Sequence, residues 1–593
     1  MKAIIAAALM LSAAGASAAD FSPKSWPEAA RHQAEQRELQ SWAPSAAQVV
    51  QGKNGVVAAT VSPIAVEAGL DTLRNGGTAA DAAAAVALTQ VTTQLGSVVS
   101  YAGIMTAVYY EAKTGKVWSL DAGYGTYRGE TDPKTIPPSD LSALTGGSPP
   151  PPASDLGRQT LVPGFMAGVE ALQRRFGRLS LHDTLQPAIW YADNGITISP
   201  TLAALFQMRK TQLARTEEGR AFMAQSGRDV PLAGDTFKQP RLAATLRQVT
   251  RDGARAMYAG DWARTMVATV RREGGNADLD DLYNYRPIWS EAASTSVFGH
   301  TVYTNGGTSL APYQLLTALN AAETMGLDRR GPYWSDTTTF SALTQLGAVT
   351  AGAPDLHPAV AALLQARGAD TSRQGQRTKP YAKTLAESLP VLFAAADDST
   401  HHSNAVVVVD KDGNIAVMTH TINAVVWGGT GIVVGGIPIA DSAGFQQARL
   451  ATLHPGDRLP NDIADALVLD ANGRPVLASG VIGSSMLPET LRVIVSHIAQ
   501  HRPLAEVAGA PPLLINTDPR SYLLPLSQRP VAVPAGAYDG AFIAGLRQSG
   551  AAVVEVPAVT VAGIRGTVAL LGFDSATKSA PETPGVMVYA GAE

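Results

Sequence analysis

From Ser403 to Asn423 the chain reads SNAVVVVDKDGNIAVMTHTIN. Two apolar runs, Val406 to Val409 and Ile415 to Thr419, flank Asp410-Lys411-Asp412-Gly413-Asn414. β-Branched runs on either side of an Asp/Asn/Gly turn predict a β-hairpin, with Gly413 free to take positive φ. Ser403, Thr421 and Asn423 fall at its open end, and all three positions are odd. A loop with an odd number of residues, such as a three-residue loop with a glycine bulge, sets Ser403 across from Asn423 and on the same face as Thr421. An even loop breaks that alignment.

A serine opening a strand suggests an N-terminal nucleophile. Cleavage of the His402-Ser403 bond exposes an α-amine, which serves as general base for the hydroxyl of its own residue. The α-amine titrates close to neutrality, as that role requires. The competing reading is a serine that only opens a strand.

At the start of the chain, Lys2, the apolar run Ile4 to Leu11 and the small-residue site Ala16-Ser17-Ala18 predict a secretory signal over residues 1–18. The alternative is an uncleaved anchor. No later stretch reaches the roughly 18 apolar residues of a membrane span, so the mature chain is expected to be periplasmic or secreted. The absence of cysteine rules out disulfides, thiolate metal sites and a cysteine nucleophile. A net charge of −4 with a pI near 6.2 and no basic cluster gives no support to nucleic-acid or anionic-membrane partners. With 593 residues, 46% hydrophobic and 16% charged, a large core is available.

Residues 19–50 read as a polar arm. A short strand ends at Thr60, Ser62-Pro63 opens a helix that Asn75-Gly76-Gly77 ends, and a small-residue helix begins at Asp81. Ile104 to Glu111 and Val117 to Asp121 read as strands. The four prolines 149–152 mark a stiff loop. A helix-rich block runs to about residue 285, followed by a strand over Ser296 to Tyr303 and a helix over Thr308 to Met325. Residues 365–400 read as a flexible approach to the hairpin. Strands at Ala466 to Asp470 and Val476 to Ser479 precede Gly483-Ser484-Ser485 and a helix over Leu487 to His501. Such a strand–turn–helix unit offers backbone amides to an oxyanion or is a plain helix cap. Strands at both ends with helices between predict one layered α/β domain.

Taken in order, GKNGVVAATVSPIAVEAGLDTLRNGGTAADAAAAVAL (52–88), LVPGFMAGVEALQRRFGRLSLHDTLQPAIWYADNGITIS (161–199), the 239–285 segment and VVDKDGNIAVMTHTIN (408–423) resemble the γ-glutamyltranspeptidase family of N-terminal nucleophile (Ntn) hydrolases. The resemblance covers nearly the whole mature chain. It implies a four-layer αββα sandwich built from both halves of the chain. It also implies autocleavage into a large portion, 19–402, and a small portion, 403–593. The activity implied is hydrolysis or transfer of γ-glutamyl groups from a small amide or peptide substrate through an acyl-enzyme, without a metal or other cofactor.

Carried over without gaps, the family's nucleophilic threonine falls on Ser403, its second threonine on Thr421 and its asparagine on Asn423. A rival register uses Ser399-Thr400-His401-His402-Ser403 and makes Ser399 or Thr400 the nucleophile, at the cost of four extra residues in a strand. Ser403 is preferred. The family's paired serines map onto Asn461 and Asp462, and its oxyanion glycine pair onto Gly483 and Ser484.

The departures lie where the family holds the substrate's amino-acid head group. The Arg-Glu that follows the Leu-Asp strand end is missing after Leu120-Asp121, which is followed by Ala122-Gly123-Tyr124; Arg128 is nearby but out of register. The amine-holding aspartate maps onto Gly444. Asp441 and Asp462 are candidate replacements, or turn carboxylates. Trp427 and Gly428-Gly429 line the pocket or pack the core. A zwitterion needs charged partners, and losing one costs about 2–5 kcal/mol, so these changes argue against glutathione-type specificity. A non-catalytic, uncleaved relative used for binding is the alternative from another class.

Overall fold

The computed structural model describes residues 20–41, 48–50, 52, 54–142, 154–393, 403–483, 486–515, 530–556, 568–572, 585–587 and 589–592. The signal segment, Ser399 to His402 and Ser484 lie outside them.

The predicted hairpin sits at the centre of the molecule. Among the described residues, fourteen strands build two sheets: β1 Gln48–Val50, β2 Gly55–Ala59, β3 Ile104–Glu111, β4 Lys116–Ala122, β5 Ile288–Glu291, β6 Ala293–Val297, β7 His300–Thr304, β8 Asn404–Asp410, β9 Ile415–Thr421, β10 Ala466–Leu469, β11 Pro475–Val481, β12 Val568–Gly572, β13 Gly585–Met587 and β14 Tyr589–Ala592. The hairpin β8–β9 is central to the first, ordered β14-β2-β8-β9-β3-β4-β5. The second runs β1-β13-β12-β11-β10-β7-β6. Every pairing in both is antiparallel.

Strand alternation explains the layers. On the hairpin, Val407, Val409, Ile415 and Val417 pack against Leu467, Leu469 and Ala478 of the other sheet. The alternate residues Val406, Val408, Ala416 and Met418 face the opposite way, into a core shared with α2 Pro63–Arg74 and α3 Ala79–Thr93. A third core covers the outer face of the second sheet beneath helices 311–324, 337–351, 379–393 and 486–494. Both faces of both sheets are thus covered, as the unbroken valine run requires. The result is the four-layer αββα sandwich.

Local chemistry sets the element ends. Thr78 and Asp81 form a capping box at the start of α3. Ser62 caps α2 by accepting Ala65 N–H. Gly69 lets α2 lie against its neighbours, since a Cβ there would stand 2.6 Å from Val86 and 2.9 Å from Val57. Asp410 closes the hairpin turn. Its Oδ1 accepts the backbone N–H groups of Asp412 and Asn414 at 2.9 and 3.0 Å, and its Oδ2 accepts Ala79 N–H, at the start of α3, at 2.9 Å.

Three sequence expectations change. The loop is odd, Lys411 to Gly413, and Asn404 pairs with His420. That register, carried one residue further, places Ser403 across from Thr421, not Asn423. Ser296 to Tyr303 is not one strand but the hairpin β6–β7, turned at Phe298 and Gly299, both at positive φ (51° and 73°). The approach to the hairpin is not a flexible stretch throughout. Lys379–Phe393 is a helix whose Tyr381, Ala382, Leu385, Leu389 and Leu392 are buried, at spacings that line one helical face.

Candidate active site at the open end of the hairpin

Ser403 lies on the inter-sheet side of β8, 2% exposed, and its Oγ has no hydrogen-bond partner among the described residues. Opposite it, Thr421 Oγ1 accepts Asn423 N–H at 3.1 Å. Asn423 adopts φ 47°, a left-handed conformation that asparagine tolerates, and it turns the chain out of the strand. The turn is pinned from three sides. Ile422 N–H donates to Val98 O at 3.2 Å, and Ile422 O accepts Tyr124 Oη–H at 3.0 Å and Ser442 Oγ–H at 2.6 Å. Gly103 lets the 100–103 loop press on the strand end, because a Cβ there would stand 2.5 Å from Thr421 O. Ser403 and Thr421 therefore face each other at the hairpin's open end, with the backbone of Asn423 bonded to Thr421.

The imidazole of His420 is turned away from Ser403. His420 sits on the alternate face, its Nε2 2.8 Å from Gln90 Oε1, and burial pushes its pKa down to about 3. It is neutral at physiological pH.

Gly483, two residues beyond β11, adopts φ 91°, so the turn there re-aims its backbone. Ser484 falls outside the described residues. Asn461 and Asp462 are held by other groups: Asn461 Nδ2 donates to Asp121 Oδ1 at 3.5 Å, and Asp462 lies 3.8 Å from Arg449.

Both head-group positions are glycines, which offer no charged side chain. After Leu120-Asp121, a Cβ on Gly123 would meet Asp121 Oδ1 at 3.0 Å and Arg458 Cδ at 3.4 Å. Arg458 itself donates to Tyr285 Oη at 2.8 Å and Arg286 O at 2.7 Å and lies 3.8 Å from Asp121 Oδ1. Arg128 turns toward Asp281, at 3.9 Å. A Cβ on Gly444 would stand 2.7 Å from Pro137 O, 3.0 Å from Gln159 Nε2 and 3.1 Å from Ser139 N. Asp441 is fully buried against Gly428 and Gly429; burial pushes its carboxyl up, and Arg209 partly offsets this. Trp427 packs the core, 4.4 Å between ring centroids from Phe206, and its Nε1–H donates to Leu95 O.

One group beside the site escaped sequence reasoning. Asp465 is fully buried and accepts Thr419 Oγ1–H at 2.6 Å and Thr106 Oγ1–H at 2.9 Å. The signal available was a lone acid in Ile463-Ala464-Asp465-Ala466-Leu467, a stretch otherwise apolar.

Comparison with known proteins bears on this arrangement. The gamma-glutamyltranspeptidase family model matches residues 65–570. The glutathione hydrolase proenzyme of Escherichia coli is 26% identical over 503 residues, 78% of this chain and 81% of that protein. The acylase ACY 1 proenzyme of Pseudomonas sp. (strain V22) is 27% identical over 59% of this chain and 63% of that protein, so the match spans under two thirds of its length. Among solved structures, the cephalosporin acylase from Bacillus halodurans superposes with a TM-score of 0.73 at 21% identity, covering 93% of this chain and 98% of that one; at that identity the likeness speaks for the fold. Among the described residues, no helix is long and apolar enough to cross a membrane. With the model matching far more than half of the sequence, and the two-sheet sandwich around the hairpin agreeing with it, the chain belongs to the gamma-glutamyltranspeptidase family.

Proposed function

We propose that this protein is an exported Ntn-type amide hydrolase or acyltransferase that matures by cleavage before Ser403. The observation that carries the reading is Ser403, with a buried hydroxyl lacking a partner among the described residues, at the end of a central strand and across from Thr421. In maturation Ser403 Oγ attacks the carbonyl carbon of residue 402. The peptide C–N bond breaks, the nitrogen takes up a proton as the α-amine, and water hydrolyses the resulting ester to a carboxylate and a free hydroxyl. In turnover the α-amine accepts the Oγ proton as Oγ attacks the substrate amide. The leaving amine is protonated, and water or an acceptor amine takes the acyl group from Ser403. Thr421 and Asn423 orient the nucleophile, and backbone amides of Gly483 and Ser484 have the role of stabilising the developing oxyanion. Asn461 and Asp462, at the positions of the family's paired serines, contact the substrate in this reading. Residues 19–402 and 403–593 are the two portions of the mature enzyme.

Gly123 and Gly444, which offer a zwitterion no charged partner, favour an acyl group without a free amino-acid head. This reading fits the acylase named among the relatives, whereas the glutathione hydrolases act on a substrate that carries one.

Intact mass and N-terminal sequencing of the purified protein test the maturation. Two chains, the smaller beginning at Ser403, are expected, and Ser403→Ala is expected to remain one chain without turnover. A cleaved, active alanine variant overturns the assignment. A γ-glutamyl anilide compared with the same anilide lacking the α-amino group tests the specificity: the second is expected to give the higher kcat/KM. The lost head-group contacts also favour a second reading, an uncleaved binding protein. One intact chain in the wild type is its signature.

A further inference from the structure

Asp465 precedes β10 on the second sheet, yet its carboxylate reaches the first. Thr419 of β9 donates to Oδ1 at 2.6 Å and Thr106 of β3 to Oδ2 at 2.9 Å. From the end of β7, Asn305 Nδ2 donates to Oδ2 at 3.2 Å while its Oδ1 accepts Asp465 N–H at 2.8 Å. Thr304 Oγ1–H binds Asp465 O at 2.7 Å. From β11, Gly480 closes the arrangement. A Cβ there would lie 3.0 Å from Ala405 and 3.8 Å from Asp465 Oδ1.

The carboxylate therefore sits beneath the Ala405–Thr419 pair, one same-face step along the hairpin from Ser403 and Thr421. The third segment at this joint, β11, leads from Gly480 to Gly483. β9 thus meets the second sheet at this side chain, and Gly480 of β11 fits between it and Ala405 of β8. Burying a carboxylate without a cation is costly, and hydrophobic residues fill the rest of the space between the sheets. Among the described residues, the groups facing Asp465 are Thr106 from β3, Thr419 from β9, Asn305 just after β7 and Gly480 from β11; none of these carries a charge.

We propose that Asp465 is a positioning residue that ties β9, β3 and the second sheet into the register in which Ser403, Thr421 and the turn at Gly483 converge. The proposal rests on the reading of Ser403 as nucleophile. Three donors converge on two oxygens, the arrangement an ionised carboxylate satisfies best. Burial meanwhile pushes the Asp465 carboxyl up to about 7. Its ionisation thus falls in the neutral range, and the order of the joint follows pH there.

The rate of chain cleavage in the full-length precursor is a readout that needs no identified substrate. It is measured by intact mass across pH for wild type, Asp465→Asn, Thr419→Val and Ser403→Ala. Asp465→Asn is expected to cleave about tenfold or more slowly. The ratio of wild-type to variant rate is expected to rise between about pH 6 and about pH 8, where only the wild type titrates at this site. Equal rates, or a ratio constant across pH, overturn the proposal. Should Asp465→Asn fail to fold, Thr419→Val, which removes only the 2.6 Å bond, takes its place: slowed cleavage with a retained cooperative melt supports the role, and unslowed cleavage overturns it. Cleavage of Ser403→Ala at the wild-type rate sinks the nucleophile assignment instead, a result separable from any outcome at Asp465.

Discussion

Glu38 shows what a single buried carboxyl does in this chain. It ends the first helix, 28–38, of the N-terminal arm, and it accepts Ser62 Oγ–H at 2.9 Å, Ile64 N–H at 3.2 Å and Gln94 Nε2–H at 3.0 Å. The arm is thereby fastened to the start of α2 and the end of α3. Burial pushes the Glu38 carboxyl up from 4.5 to about 7, against the pull of its donors. The sign follows from linkage: the folded state holds the proton more tightly than the unfolded chain, so stability is fullest below about pH 4.5 and is lost as pH rises through about 7. At about 1.4 kcal/mol per pH unit, the loss is about 3 kcal/mol. We expect the Tm of Glu38→Gln minus that of the wild type to increase from about pH 4.5 to about pH 7 and to level off above. A difference that stays flat over this range removes the assignment. Neither Glu38 nor Asp465 was legible as a node in the sequence, because each draws its partners from segments far away in the chain. That Ser403, Thr421 and Asn423 share one end of the hairpin was legible because they lie within 21 residues of one another. The Asp441 alternative also needed coordinates: its seat against Gly428 and Gly429, facing Arg209, is a tertiary fact.

Among elements, the hairpin was read correctly as a pair of strands, but its register was not. A run of β-branched residues fixes strand identity without saying which residues face one another. The register is set by Asp410, which gathers the N–H groups of Asp412 and Asn414 across a three-residue loop, with Gly413 at φ 82°. The hairpin β6–β7 was missed for the opposite reason. Its turn uses Phe298 at positive φ, and phenylalanine gives no turn signal. Helix 379–393 was hidden by Pro380, which the first turn tolerates, and by Pro390 within it. Asp410→Ala tests the turn. It removes the acceptor of three backbone N–H groups and leaves that of Ala79 buried without its partner, at about 1–3 kcal/mol per unsatisfied group. With the two part-buried bonds at about 0.5–1.5 kcal/mol each, we expect a total loss of about 2–6 kcal/mol, read as a lower midpoint in urea with an unchanged m-value. A midpoint equal to that of the wild type shows that the turn, not its aspartate, sets the register.

For the whole molecule, the sheet order makes the two proposed portions inseparable. In the first sheet, β8 and β9 lie between β2 and β3, so strands from after Ser403 pair on both sides with strands from before it. β14 then flanks β2 from the other side. In the second sheet, β10 pairs with β7, and β13 with β1. Three interfaces between the portions are therefore rows of backbone hydrogen bonds in a sheet interior, and two more, β14 with β2 and β13 with β1, close edges. The valines of β8 are at most 5% exposed, and re-exposing each costs about 1.5–3 kcal/mol. Withdrawing β8 and β9 would also strip the paired backbones of β2 and β3, each group of which is costly to leave unmade. Separation and unfolding are thus one event. Cleavage before Ser403 cuts a connection at the sheet's end and leaves every one of these pairings in place. We expect the matured protein to elute as one species in native size-exclusion chromatography and to give two bands only under denaturing conditions. In a urea titration the loss of co-elution and the loss of the far-ultraviolet signal should share one midpoint. Release of the smaller chain at a urea concentration where the circular dichroism is still native would show that the strands of the two portions are not interleaved as this sheet order has them.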